Sequence, residues 1–144
     1  MKDYIYLAGP MEQLDKEAMT GWRNYATSKL EPDFKTLDPC RRVEFHDQLN
    51  QVLGSERRTR NISHRIFKQD MQDIAHSRVI LADVRRDSGR GTGTAMELMY
   101  AHIEHKIIIL YANEGDFPHP FLYSIATEVY YDLDDAIEAV KEYY

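Results

Sequence analysis

The chain has 144 residues, a formal net charge of −6 and one cysteine. That length suits a single domain, 1–144, around one core, and the acidic balance leaves no electrostatic footprint for nucleic-acid polymers or anionic membranes. Cys40 alone cannot form an internal disulfide, no apolar run approaches membrane-spanning length, and no signal-like segment precedes the first strand, so a reducing, cytoplasmic setting is expected.

Residues 4–8 (YIYLA) are apolar and β-prone and stop at Gly9-Pro10, which predicts a first parallel strand opening into a loop close to Tyr6. From 15 to 30, Ala18, Trp22, Tyr25, Ala26 and Leu30 recur at helical spacing until Glu31-Pro32. Residues 34–37 read as a short second strand closed by Asp38-Pro39. The polar, arginine-rich stretch 40–61 reads as a long loop with room for helical turns, a common form for a lid. Asn61 or Ser63 then caps a helix through His76, with Ile66, Phe67, Met71, Ile74 and Ala75 largely on one face.

The rest of the chain is organised around 79–105. The apolar run 79–82 suits a strand buried on both faces. Gly89, Gly91 and Gly93 each cost about 1 kcal/mol against alanine inside a helix, so they predict a loop of close backbone approach. A helix follows, with Glu97 just inside it. Its opening N–H groups have no helical partners and suit an anionic or hydroxyl-rich ligand beside that acid. Residues 106–111 (KIIILY) form the clearest buried strand, and 115–120 a turn-rich loop. A short helix over 121–126, a last strand over 128–131 and an amphipathic helix over 132–144 complete the chain. This alternation predicts an α/β, doubly wound, five-stranded parallel sheet with about five helices and right-handed crossovers. Ligands of such sheets bind outside the carboxyl ends of the strands, where Tyr6, Gly9, Asp83 and the 89–93 loop map.

Most candidate residues carry two readings. Glu97 is a site carboxylate or a first-turn acid worth about 0.3–1 kcal/mol against the positive helix end. Asp83 and Asp87 are ligand contacts or turn caps. Asp70 and Asp73 share a helix with Arg65 and Lys68, where at least one is expected on an exposed ion-pair face. Met11 and Trp22 are core residues or apolar cover for the site. His102 and His105 lack a third ligand, so metal binding is not expected. Cys40 has no activating partner and reads as a small buried residue. The glycines follow the third strand, outside the first-strand setting of a dinucleotide fingerprint.

Together, YLAGPM at 6–11, Asp70 in the helix leading to SRVILAD at 77–83, and GTAME at 93–97 resemble the nucleoside 2-deoxyribosyltransferase family and its nucleotide N-glycosidase relatives. KIII at 106–109 and His119-Pro120 continue the resemblance, which omits residues 40–60. It implies a flavodoxin-like fold, a homo-oligomer and no metal or organic cofactor. It further implies that Glu97 is the nucleophile attacking C1′ of a 2-deoxyribonucleoside to give a covalent deoxyribosyl-enzyme. The matching Tyr6 would orient and tune that carboxylate, and the matching Asp70 would contact or protonate the departing base. Gly9, Pro10, Asp83, Asp87, Gly91, Gly93 and Thr94 make up the expected substrate-binding set. The sequence departs from the family at Gly91, often a polar position there, with Asp87 the candidate to approach that space. Arg78 stands where an acid is usual.

The function expected from the resemblance is transfer of the sugar to another base. One alternative is hydrolysis of a deoxynucleoside 5′-monophosphate, with Arg41, Arg42 or a neighbouring loop arginine pairing the phosphate. Another is a nucleotide-binding sensor without turnover. The expected partners are a nucleoside or nucleotide and a free nucleobase. Ten tyrosines, several near the carboxyl end, add to the expectation of an oligomer.

Overall fold

The structure, a computed structural model, describes residues 3–11, 16–42, 56–85, 91–115 and 119–143. Five strands, β1 (Tyr4–Ala8), β2 (Lys35–Leu37), β3 (Val79–Asp83), β4 (Ile107–Tyr111) and β5 (Glu128–Tyr130), form one all-parallel sheet in the order β2-β1-β3-β4-β5. Helices α1 (Lys16–Leu30), α2 (Glu56–His76), α3 (Thr92–Ile103), α4 (Pro120–Ile125) and α5 (Leu133–Lys141) connect or follow them, and a 3-10 turn spans Pro39–Arg42. This strand order is the flavodoxin-like one. The chain winds outward to β2, returns across β1 to β3, and leaves a crevice between the carboxyl ends of β1 and β3.

Strand alternation decides what each face meets. Ile5, Leu7, Val79, Leu81 and Ile109 pack on one face with Trp22, Ala26 and Leu30 of α1 and Ala136, Ile137 and Val140 of α5. Tyr6, Ala8, Ile80, Ala82, Ile108 and Leu110 pack on the other with Ile74 of α2 and Leu98 and Ala101 of α3. Each fully buried Ile or Leu contributes about 1.5–3 kcal/mol. Register sets Tyr6 opposite Ile80 and Ala8 opposite Ala82, so the two central strands end side by side at the crevice. α5 is capped by Asp132, whose carboxylate accepts from the N–H groups of Asp134 and Asp135. His105, at φ 60°, takes the left-handed conformation just past the end of α3. Among the described residues no helix is long and apolar enough to cross a membrane.

Four expectations are corrected. α2 starts at Glu56, not at a cap on Asn61 or Ser63, because the arginine-rich stretch extends the helix by more than a turn. Asp70 and Asp73 are both buried, so neither lies on an exposed ion-pair face; Arg41 crosses from the 3-10 turn to bind Asp73 at 2.6 Å. Gly93 is the second residue of α3. Among the described residues nothing lies within 4 Å of a Cβ placed on Gly91 or Gly93, so neither makes a close approach to a described atom. Finally, Glu97 is the sixth residue of α3, past the first turn in which the helix dipole acts.

Candidate active site

The even-numbered face of β1 turns Tyr6 toward α2 and α3, and α3 sends Glu97 back onto it. The Tyr6 hydroxyl donates to Glu97 Oε2. Tyr6 is fully buried, and burial, with the charges of Glu97 and Asp70, holds its hydroxyl well above the usual tyrosine range. It therefore remains a donor at any physiological pH. The Glu97 carboxyl is pushed up to about 8, first by burial and then by Asp70, while the Tyr6 hydrogen bond and the Arg23 guanidinium pull the other way. Asp70, buried on α2, thus acts on both partners. Tyr6, Asp70 and Glu97, named from the sequence, are brought together from three separate elements.

Beside this cluster lies a cavity of about 780 Å³. Pro10, Asp83, Val84 and Arg85 form its sheet-edge wall, Gly91, Thr92, Thr94, Ala95 and Met99 the α3 wall, and residues 119–122 with Ile125 the far wall. None of Tyr6, Asp70 and Glu97 lines this cavity; it adjoins the acid through Thr94 and Ala95 of the same helix. Its surface is largely apolar, with a few polar groups at one side, the usual make-up of a small-molecule site. Asp83 is buried, and Arg85 holds both its oxygens, at 2.9 and 3.0 Å, while stacking 4.6 Å from the centre of the Tyr111 ring. The Thr94 hydroxyl is buried with no hydrogen-bond partner among the described residues. Gly91 caps α3 without a side-chain hydrogen bond.

Gly9 is buried where β1 ends. A Cβ there would lie 3.0 Å from the Trp22 ring, 3.2 Å from Arg23 and 3.3 Å from Asp83, so the close approach expected of the glycine loop occurs here. Trp22 is core, packed under this turn. Met11 sets its sulfur 3.2 Å from Cys40, which is buried, its thiol pushed up to about 12 by that burial. His102 and His105 are both exposed. Asp87 and Gly89 lie outside the described residues. Arg41 is engaged with Asp73, and Arg85, in the cavity wall, is engaged with Asp83.

A sequence model of the family described as nucleoside 2-deoxyribosyltransferase matches residues 5–137. The chain belongs to the nucleoside 2-deoxyribosyltransferase family. Membership supports an enzyme of the N-glycosyl transferase or hydrolase kind that acts on nucleosides or nucleotides. The fold agrees with a 2-deoxyribosyltransferase of Bacillus psychrosaccharolyticus at 19% identity and TM-score 0.69, covering 93% of this chain and 90% of that one. It also agrees with the CMP N-glycosidase BcmB of Clostridium botulinum at 15% identity and TM-score 0.59, covering 98% and 100%. A molybdenum cofactor binding protein from Rippkaea orientalis has the same fold at 13% identity and TM-score 0.60, covering 99% and 97%. That third likeness illustrates why the fold alone does not choose the chemistry within the family's architecture. A comparison with curated proteins finds no match to the chain.

Two residues of this region were missed in the sequence. Arg23 is fully buried on α1, although its spacing to Ala26 and Leu30 placed a charge on the apolar stripe of that helix, which was the available signal. Arg85 gave no such signal, since a single arginine after a strand is ordinary.

Proposed function

We propose that the protein is a nucleoside 2-deoxyribosyltransferase working through a covalent deoxyribosyl-Glu97 intermediate. The observation that carries this reading is the Tyr6 hydroxyl seated on the Glu97 carboxylate with Asp70 beside both. Glu97 attacks C1′ from the face opposite the base. As the C1′–O bond forms, the N-glycosidic bond breaks and its electron pair leaves with the base nitrogen, which takes a proton or hydrogen bond from Asp70. A second base then attacks C1′ and releases Glu97, so two inversions give net retention. The largely apolar wall of Val84, Met99, Phe121, Leu122 and Ile125 favours capture by a base over water. Gly9 and Pro10 shape the sheet edge of this site, Asp83 acts through Arg85, and Gly91, Gly93 and Thr94 bound the sugar side.

A second reading, hydrolysis of a deoxynucleoside 5′-monophosphate, draws on the polar side of the cavity. Arg85, the buried Thr94 hydroxyl and the opening of α3 together suit an anionic group. Incubation with a panel of deoxynucleosides and their monophosphates, with and without an acceptor base, separates the two. The first reading expects new nucleoside to form faster than free sugar; release of base from monophosphates alone would replace it with the second.

If Asp70 assists the departing base, Asp70→Asn lowers turnover most for substrates whose base leaves poorly, by about 10²-fold or more, and least for activated ones. Equal loss across a series of leaving groups would remove that role. We further propose that the protein is a homo-oligomer. Met96, Met99 and Ile103 along α3 and Phe121 on α4 are exposed, and Met99 and Phe121 also line the cavity, so a second copy on this face would close its mouth. Light scattering is expected to show an oligomer at assay concentration. A fully active monomer would defeat the proposal.

A further inference from the structure

Arg23 is a guanidinium with no solvent exposure, and burying such a charge is costly unless its donors and its charge are both met. Its donors are met mainly by neutral oxygens. Nε donates to the Leu7 carbonyl at 3.3 Å, Nη2 to the Gly9 carbonyl at 2.8 Å and Nη1 to the Met19 carbonyl at 2.6 Å. The Asp38 carboxylate lies 3.6 Å from Nε and is partly spent on the Cys40 N–H at 2.7 Å. Carbonyls satisfy the N–H groups but leave much of the positive charge uncancelled. Leu7 lies in β1 and Gly9 just past its carboxyl end, so two of the three flank the end of the strand that presents Tyr6 to Glu97.

We propose that Arg23 is a positioning residue for the reaction: it grips the end of the strand that carries Tyr6, and its buried positive charge favours the ionised form of Glu97 against the opposing charge of Asp70. The proposal rests on the reading of Glu97 as nucleophile. Among the described residues, the other charged groups around Glu97 do not do this. Asp70 and Asp73 on α2 oppose its ionisation, and Tyr6 on β1 offers one neutral donor. The nearby cations are committed, Arg41 to Asp73 and Arg85 to Asp83. Arg23 lowers the proton affinity of both Glu97 and Tyr6. A purely structural tie between α1 and β1 would need donors but no charge.

The test reads Glu97 directly. The protein is labelled with 13C at the glutamate carboxyl carbons, Glu97 is assigned with Glu97→Gln, and its titration is followed without substrate in the native protein, Arg23→Met and Arg23→Lys. Arg23→Met is expected to raise the Glu97 midpoint by roughly one unit, the low end of what a neighbouring cation does to a carboxyl. The acid limb of kcat/KM should move with it, lowering activity at pH 7 about tenfold. Arg23→Lys keeps the charge and is expected to leave the midpoint near its native value. Where Arg23→Met does not fold, Arg23→Gln carries the same expectation, because its amide keeps two donors for the β1 carbonyls without the charge. A folded neutral variant whose Glu97 titrates as in the native protein overturns the proposal. A midpoint that moves while the acid limb stays would leave Arg23's influence on Glu97 intact and remove the nucleophile reading instead.

Discussion

Replacing Glu97 by Gln should abolish base release, base exchange and the covalent sugar adduct together, with a loss of roughly 10³-fold or more in turnover. The amide keeps the volume and still accepts from the Tyr6 hydroxyl, so the fold and the cluster survive while the nucleophile does not. Asp70 does not substitute for it in this scheme, because it stands on α2 as the partner of the departing base. The loss is read by chromatography of base and nucleoside, and the adduct by mass spectrometry of protein quenched with a poor acceptor. Near-normal turnover in the variant would overturn the mechanism. Loss of activity with the adduct still present would place the covalent bond on another residue.

The second large effect is in pH. With the Glu97 carboxyl near 8, only about a tenth of the free protein holds it ionised at pH 7, so kcat/KM should rise almost tenfold per unit up to about 8. Above that the Glu97 carboxyl is fully ionised and the acid limb levels off. The same group leaves a mark on stability. Its folded value lies above the 4.5 of an unperturbed carboxyl, so between about 4.5 and 8 the folded chain holds a proton that the unfolded chain has released. Stability contributed by this group is therefore lost as pH rises through that window and is constant above it. Glu97→Gln should remove the slope, and its Tm should exceed the native Tm by a margin that grows from pH 5 to pH 8. A margin independent of pH would mean that Glu97 titrates as an ordinary carboxyl.

Much of this was legible in the residues. Buried parallel strands announce themselves as apolar runs, and 79–82 and 106–111 did so, while Gly9-Pro10 marked where β1 must stop. Glu97, Tyr6 and Asp70 were readable only as a set; singly, each had an ordinary explanation, and the resemblance joined what spacing could not. The start of α2 was obscured because its first turns are polar and arginine-rich, a composition shared by solvated loops and exposed helix. Burial of Asp73 depends on Arg41 arriving from 32 residues earlier, which no local pattern records. Arg23 was hidden by the rule that arginines face water; of the stripe it interrupts, Trp22, Ala26 and Leu30 are buried while Ala18 and Tyr25 are exposed.

The two-residue repeat of β1 gives the protein an unusual sensitivity to length. Tyr6 and Leu7 are neighbours in the chain but serve opposite sides of the sheet, one the chemistry and the other the support under α1 and α5. A single residue inserted between Leu7 and Gly9 would leave composition, hydrophobicity and strand propensity almost untouched, yet exchange the two sides and put Leu7 where the phenol hydroxyl belongs. Point substitutions in this strand are thus graded injuries, whereas a shift of one residue is all-or-none. The five residues of β1 behave as a ruler measured from the stop at Gly9-Pro10, and the spacing from that stop back to Tyr6 must be kept even where the intervening side chains are free to vary.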